Sequence, residues 1–350
     1  MRVVTIVGGG IAGAALGGAL ARANMPVTVF EQQRGNGSGG AFLFIDERGH
    51  SAMRELGVDD AAVDAASIPV DALEYVDSAG RQSRMLRGHR FWLRSSLMDV
   101  LADFLGSSSA DVRYESRVTG VAVDAGSCRI QHSDGSASTI DDVVIGADGI
   151  DSVVRAGLEP ARAAVYAGDV VLYGMTTGPA GAPSDPQILH FFAELDAAGA
   201  AASTFGHIWR PGQPAHWFIR IAREPLDGPD DLGLRPMDEW SATVLAATPS
   251  ITELVRPLLE RTEAVHVSNA RNVPLDDAAE PGLPVVLIGD ADHAITPAAG
   301  VGARDALEDA HAVYRALTTG ASPAEAMALR RKTIIEDRRL AMRRRASVSR

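Results

Sequence analysis

Cysteine is all but missing from this chain of 350 residues, with Cys128 the only one. A single thiol rules out an internal disulfide framework, and no zinc-type Cys/His spacing accompanies it, so no metal site is expected. The same scarcity fits a reducing compartment, and a cytoplasmic protein is expected. Lysine is equally rare, Lys332 standing alone among arginines. Positive charge is in deficit overall: the formal net charge of −12 argues against nucleic acid as a partner, because phosphate backbones select basic surfaces. Only residues 330–350 run the other way, with nine Lys/Arg against Glu336 and Asp337. A solvated helix with a basic tail is expected there, and without an apolar anchor no stable membrane association follows. Internal repeats, low-complexity linkers and a Gly-x-Ser-x-Gly elbow are also lacking, which removes solenoids and that type of hydrolase.

What is present is an ordinary globular composition, 22% charged and 46% apolar, in a chain long enough for two domains. Its opening, "VVTIVGGGIAGAALGGALA", spans Val3 to Ala21 without a charge. A signal peptide or a membrane span would both use such a run, but six glycines weaken an isolated helix by up to about 1 kcal/mol each. The surroundings give them another use. Arg2 to Val7 reads as a buried strand, Ile11 to Ala23 as a helix, and Val27 to Phe30 as a second strand. Gly8-x-Gly10-x-x-Gly13 lies where strand meets helix: the first glycine for a tight turn, the second for approach of a phosphate, the third for close packing. Glu31 ends the second strand, where an acid accepts hydrogen bonds from an adenosine ribose. The stretch predicts a dinucleotide clasp.

Two later segments repeat the strand-to-loop pattern: "VVIGADGIDSVVR" at 143–155 and "VVLIGDADHAITPAAGVGARDALEDA" at 285–310. Together with the clasp, the Asp148-Gly149 and Gly289-Asp290 motifs resemble the FAD-dependent class A flavoprotein monooxygenases. This aromatic-hydroxylase-like family includes tetracycline-inactivating and polyketide-tailoring oxygenases. The resemblance runs from residue 3 to about 310. Asp290, at a strand end, can accept hydrogen bonds from ribityl hydroxyls. Pro297 to Gly302, with Gly300 and Gly302, lets a flavin ring approach backbone at a helix N-terminus whose dipole favours an anionic reduced flavin.

The resemblance further implies FAD and NADPH interactions for Asp148 and Arg155. It also places Arg94, in "LRSSLMDVL", near the flavin. Where the family most often has asparagine this chain has Arg304, expected to point to solvent, and His293 is expected to be a structural hydrogen-bonder. No side chain is assigned as catalytic, because in this family the chemistry resides in the cofactor. NADPH reduces FAD, O2 adds, and a flavin C4a-hydroperoxide delivers one oxygen to an aromatic or polyketide-like small molecule. A Trp-x-Trp-x-Ile-Pro segment and an early lysine, which a flavin-dependent halogenase would need, are missing. A flavoprotein using FAD structurally, for cyclisation or ligand sequestration, stays open as the alternative.

The expected fold class is α/β: a Rossmann-like FAD-binding domain with a mixed-sheet substrate domain and C-terminal helices. The boundaries drawn are 1–67, 87–168 and 263–322 for the FAD-binding domain, and 68–86 with 169–262 for the substrate domain. Residues 323–350 form a C-terminal helix with its basic tail, and no further domain is expected after it. The hairpin at 68–86 turns at Asp77-Ser78-Ala79-Gly80 and joins later strands in one sheet. Period-two reading puts His190 with Phe192, His207 with Phe205 and Trp209, and His216 with Phe218 on common faces, one of which walls a substrate cavity.

Overall fold

Three of the strands around which the protein is built, Val4–Val7, Val143–Gly146 and Val285–Leu287, are buried from end to end. Burial on both faces is why they read as unbroken apolar runs and not as alternating patterns. Joined by Val27–Phe30 and Asp111–Arg113, they make a five-stranded parallel sheet in the order 285–287, 143–146, 4–7, 27–30, 111–113. Parallel pairing has a direct consequence for function. Gly8, Glu31, Ala147 and Ile288 all follow the carboxyl ends of neighbouring strands, so the loops that carry the motifs gather along one edge.

The computed structural model describes residues 3–35, 42–76, 80–86, 88–124 and 126–348. Arg2, the hairpin residues Asp77 to Ala79 and the last two residues of the basic tail lie outside them. The first helix, Ile11–Arg22, is apolar on nearly every side, and its glycines are explained by its neighbours: a Cβ on Gly17 would press on Leu105 and Val29, and one on Gly18 on Phe104. Among the described residues no helix is long and apolar enough to cross a membrane.

The second layer is an eight-stranded mixed sheet, in which only Ile188–Leu195 and Ala72–Val76 pair in parallel. The expected hairpin is there, Ala72–Val76 against Gln82–Met85, and it does join the later strands. Ser67–Pro69 instead pairs with Arg90–Leu93, which also carries Phe42–Ile45. Ala264–Asn272, which a boundary at 263 gives to the first domain, is hydrogen-bonded inside the eight-stranded sheet beside Val165–Pro179. A three-stranded antiparallel sheet, Val118–Asp124, Ser127–His132 and Ala137–Ile140, was not anticipated.

The two faces of the large sheet sort the aromatic residues as the period of two requires. Phe205, Trp217 and Ile219 pack against the helices Asp238–Ala246 and Thr252–Leu259. Tyr173, Phe191 and Phe218 face the other way, onto Phe42 and Phe91. His216 shares that second face, whereas His190 and His207 stack with Phe192 on the first.

The last helix, Pro323–Val348, corrects an expectation. It is not simply a solvated basic appendage: Ala324 and Met327 enter the core of the parallel-sheet layer, and Arg331 is buried with them. The charge run misled because its inward-facing members meet buried acids, a partnership set by tertiary structure.

Gly174 is covered by the indole of Trp217, which is fully buried and donates to Thr262 Oγ1 at 3.0 Å. A methyl at Gly174 would overlap that ring, so Gly174→Ala should lower stability by about 1–3 kcal/mol, the usual range for overpacking. Chemical denaturation checks this, and an unchanged midpoint would contradict it.

Candidate active site

Close approach of backbone to backbone shapes the clasp. Gly8 has φ +101°, and a Cβ there would strike the Ala147 carbonyl and the backbone of Asp148. At Gly13 a Cβ would strike the Gly8 carbonyl, so glycine is what lets the helix settle on the strand. Gly10 is different: no atom lies within 4 Å of where its Cβ would be. The helix it opens has no side-chain cap and no acid in its first turn. By contrast, the helices beginning at Glu47, Asp60 and Val153 are capped by Asp46, Asp59 and Ser152. The free amides beside Gly10, at the positive end of the helix dipole, therefore suit an anion such as a diphosphate. Glu31 stands at the rim, its carboxylate held by the Gly9 N–H at 2.7 Å and the Gln33 N–H at 2.8 Å.

Gly289 connects this clasp to the second motif. With φ +59°, it is wedged between helix starts: a Cβ would lie 3.3 Å from the Ala12 Cβ and 3.4 Å from that of Ala306. Asp290 follows. Its carboxylate is open to solvent, yet it sits in a recess with protein on most sides, and that enclosure pushes its pKa up against the opposing influence of His293 and Arg94. A Cβ on Gly302 would come within 3.9 Å of Asp290 Oδ1. The helix Gly302–Thr319 again begins without a side-chain cap, after a single 3-10 turn at Pro297–Ala299 and a left-handed Gly300.

Arg94, the exposed first residue of the helix Arg94–Gly106, is near enough for its charge to act on both Asp290 and Tyr173. Gly8, Gly10, Gly13 and Glu31 thus meet at one end, and Asp290, Gly302 and Arg94 at the other. Two uncapped helix N-termini lie between them. An elongated cofactor with an anionic middle and hydroxyl groups fits this donor set.

Asp148 and Arg155 are placed differently from the other motif residues. The backbone of Asp148 lies against Gly8, but its carboxylate turns into its own helix, accepting from Ser152 Oγ at 2.5 Å and the Val154 N–H at 3.2 Å. Burial raises its pKa, and those donors restrain the rise. Arg155 is buried away from the groove and donates to the carbonyls of Ile150, Arg162 and Ala291 at 2.6, 2.9 and 2.8 Å. It fastens the loops beneath the site.

The solvent-facing orientation expected for Arg304 is overturned. Its guanidinium is buried, 2.8 Å from Asp305 Oδ1 and 3.4 Å from Asp46 Oδ2, with Asp337 of the last helix at 3.8 Å. A ring of carboxylates from three separate elements draws it inward.

Asp292 and Asp309 were missed. Both are completely buried. Asp309 accepts from the Gly289 N–H at 2.9 Å, His293 Nε2 at 2.6 Å and Arg330 Nε at 2.9 Å. Asp292 is gripped by Arg331 at 2.6 Å and Arg162 at 3.1 Å, while Arg338 donates to the His293 carbonyl at 2.7 Å. Asp305 and Asp309, four residues apart and hence on one helix face, were the available signal. Burial alone would lower the His293 pKa, but the Asp309 carboxylate outweighs it and raises it to about 9. Burial likewise raises Asp309, yet the His293 charge and hydrogen bond, with Arg330 and the Gly289 amide, hold it at about 2.

Facing the Asp290 end is the aromatic side of the eight-stranded sheet. Ring centroids of Phe42 and Tyr173 are 5.2 Å apart, those of Phe42 and Phe91 5.4 Å, and those of Phe91 and His216 4.7 Å. Burial lowers the His216 pKa to about 4, so it is neutral at pH 7. His207 and His190, on the far face, are engaged by Ser184 Oγ at 2.8 Å and Glu74 Oε1 at 3.0 Å.

Residues 1–329 match the family model described as FAD binding domain. Kynurenine 3-monooxygenase of Salinispora arenicola (strain CNS-205) is 27% identical over 361 residues, covering 93% of this chain and 74% of the relative. 3-Amino-4-hydroxybenzoate 2-monooxygenase of Streptomyces cremeus is 26% identical over 329 residues, covering 87% and 76%. A crystal structure of CtdE in complex with FAD and a substrate superposes with a TM-score of 0.81 at 20% identity, covering 98% of this chain and 88% of that one. That likeness establishes the arrangement of the Rossmann-like sheet, mixed sheet and C-terminal helices.

Gly13→Ala should weaken FAD binding at least tenfold by forcing the helix off the Gly8 carbonyl; flavin fluorescence titration of the apoprotein checks it, and wild-type affinity would refute it. The Asp309–His293 pair makes stability depend on pH. The depressed carboxylate contributes above its unfolded pKa of about 3.9 and loses that contribution as pH falls towards 2. The raised imidazole contributes fully below about 6.5 and loses its contribution as pH rises to about 9. Between pH 6.5 and 9 the unfolding free energy should fall by on the order of 2–3 kcal/mol. Asp309→Asn should flatten that slope, and an unaltered slope in the variant would rule out the pair as its source.

Proposed function

The chain belongs to the FAD-binding class A flavoprotein monooxygenases, and from that premise we propose that it consumes NADPH to insert one atom of O2 into an aromatic or polyketide-like small molecule. The observation that carries the substrate class is the wall of Phe42, Phe91, Tyr173 and Phe218 opposite Asp290 and Arg94. Flat rings pack well against such a cluster, which would keep water from the reacting atoms.

Bound FAD supplies the electron transfer and the activation of O2. The protein's own residues position and protect. Glu31 and the amides at Gly10 would hold the adenosine and diphosphate end, Asp290 the ribityl chain, and the glycines at 300 and 302 leave room for the ring. Arg94 places positive charge beside Asp290, where it would offset negative charge on the bound cofactor. His216, neutral at pH 7, adds a polar edge to the wall without adding charge. Asp148 supports the site through the turn it caps.

Anaerobic mixing of the FAD-loaded protein with NADPH, alone and with a panel of phenols and polycyclic aromatics, tests this. Loss of the oxidised-flavin absorbance, accelerated at least tenfold by one member of the panel, is the expected result. Flavin that stays oxidised across the whole panel would overturn the NADPH-dependent reading in favour of a non-redox role or a separate reductant.

A further inference from the structure

The strand Ala264–Asn272 ends where two loops of the cofactor site come together. Arg271 bonds twice to Asp151, just past the Asp148-Gly149 turn, at 2.7 and 3.0 Å. The Val273 N–H donates to the Ala294 carbonyl at 2.8 Å, and the Asn272 side chain accepts the Thr296 N–H at 2.6 Å. A backbone N–H can only donate, so the oxygen of the carboxamide is the atom that faces the loop. Along its ladder the same strand lies beside Val165–Pro179, with Asn272 opposite Val165 and His266 opposite Tyr173. One strand end thereby joins the substrate sheet to the loops behind two of the cofactor motifs.

Thr296 is the last residue with an amide to give before the flavin-facing turn, because Pro297 has none. Its carbonyl accepts the Ala299 N–H at 2.9 Å, and the Pro297 carbonyl accepts the Gly300 N–H at 2.9 Å. Those bonds close the 3-10 turn and pass the chain through Gly300, at φ +66°, to the uncapped start of the helix Gly302–Thr319. The Thr296 hydroxyl is buried and has no partner among the described residues. Among them, the only side chain bonded to residue 296 is therefore Asn272. How closely a ring can lie against the helix terminus depends on where this turn is held, and the hold of a helix dipole on charge fades within one turn.

We propose that Asn272 is a positioning residue for the flavin: by fixing the Thr296 amide, its side-chain oxygen sets the turn that brings the start of the helix Gly302–Thr319 against the ring. The consequence is a preference for the reduced, anionic flavin over the oxidised one. Oxidised FAD is gripped chiefly through the clasp and Asp290, which the bond to Asn272 does not touch. The proposal goes beyond the reading above, requiring the FAD site but no particular substrate and no NADPH.

The test uses the FAD-loaded protein, with the flavin potential read by equilibration with a reference dye and the ring environment by visible circular dichroism. Asn272→Leu removes the acceptor. Thr296→Pro removes the donor from the other side, at a residue whose φ of −44° and ψ of 136° are close to what proline adopts and whose hydroxyl forms no bond. Each variant should bind oxidised FAD within threefold of the wild type yet lose at least tenfold of the preference for reduced flavin. That loss is a fall of about 30 mV in the two-electron potential. The double variant should do no more than either single one. Asn272→Asp, which keeps an accepting oxygen, should retain the wild-type flavin dichroism. An unchanged potential in both single variants, effects that add in the double variant, or Asn272→Asp dichroism matching that of Asn272→Leu would each overturn the assignment. Loss of oxidised FAD from both single variants would also overturn it, making Asn272 a residue of the fold at large. NADPH takes no part in these measurements, so failure of the monooxygenase reading would be recognised separately.

Discussion

A carboxylate with no exposure to water, Asp309, is the constraint on which the cofactor-facing half of the protein depends. Burying a charge is costly unless it is paired and hydrogen-bonded, and here every direction is answered: a backbone amide from Gly289, an imidazole from His293 and a guanidinium from Arg330. Those three partners belong to the floor loop and to the last helix. Satisfying one acid therefore fixes the position of Gly289, and with it Asp290, relative to the helix Gly302–Thr319. Asp292, next to His293 in the chain, repeats the arrangement with Arg331 and Arg162. Specific orientation of the loop is what this expensive pairing provides.

Division of labour between the two sheets follows from their hydrogen-bonding geometry. Parallel strands bring several loops to one edge, which is what a long cofactor with chemically distinct parts needs. A mostly antiparallel sheet presents a continuous side-chain face, which is what a flat apolar ligand needs. Trp217 and Phe218 are adjacent in sequence and face opposite ways, one into the helices behind the sheet and the other onto Phe42 and Phe91. The two aromatic clusters are thereby separated by a single layer of backbone.

Legibility of this architecture in the sequence varied with the range of the interactions. The strand, helix and strand around Gly8 to Glu31 were readable to within two residues because turn, packing and helix start are all local there. The faces of His216 and of Trp217 were readable because a strand alternates regardless of its neighbours. Arg304, by contrast, gives no local sign of the acids that surround it, which come from Asp46 and the last helix as well as its own. Arg330, Arg331 and Arg338 read as a charge run because their partners lie 21 to 45 residues away. Asp148 was identified as a motif residue, but the direction of its carboxylate depended on whether Ser152 or a ligand would claim it. The strand Ala264–Asn272 was assigned to the wrong neighbours for a related reason, since nothing within a strand states which sheet it will join.

The arginines of the last helix also impose an order in time. In synthesis from the amino terminus, the Gly8 to Glu31 segment and its neighbour strand at 143–146 are both made before the floor loop at 289–293. The braces for that loop, Arg330, Arg331 and Arg338, are added later still. Until residues 330 and 331 have left the ribosome, Asp309 has only His293 and Asp292 only Arg162 as a charged partner, so secure capture of the flavin end comes after the clasp in the order of synthesis, and a chain stalled before that point would carry a finished clasp above an unbraced floor.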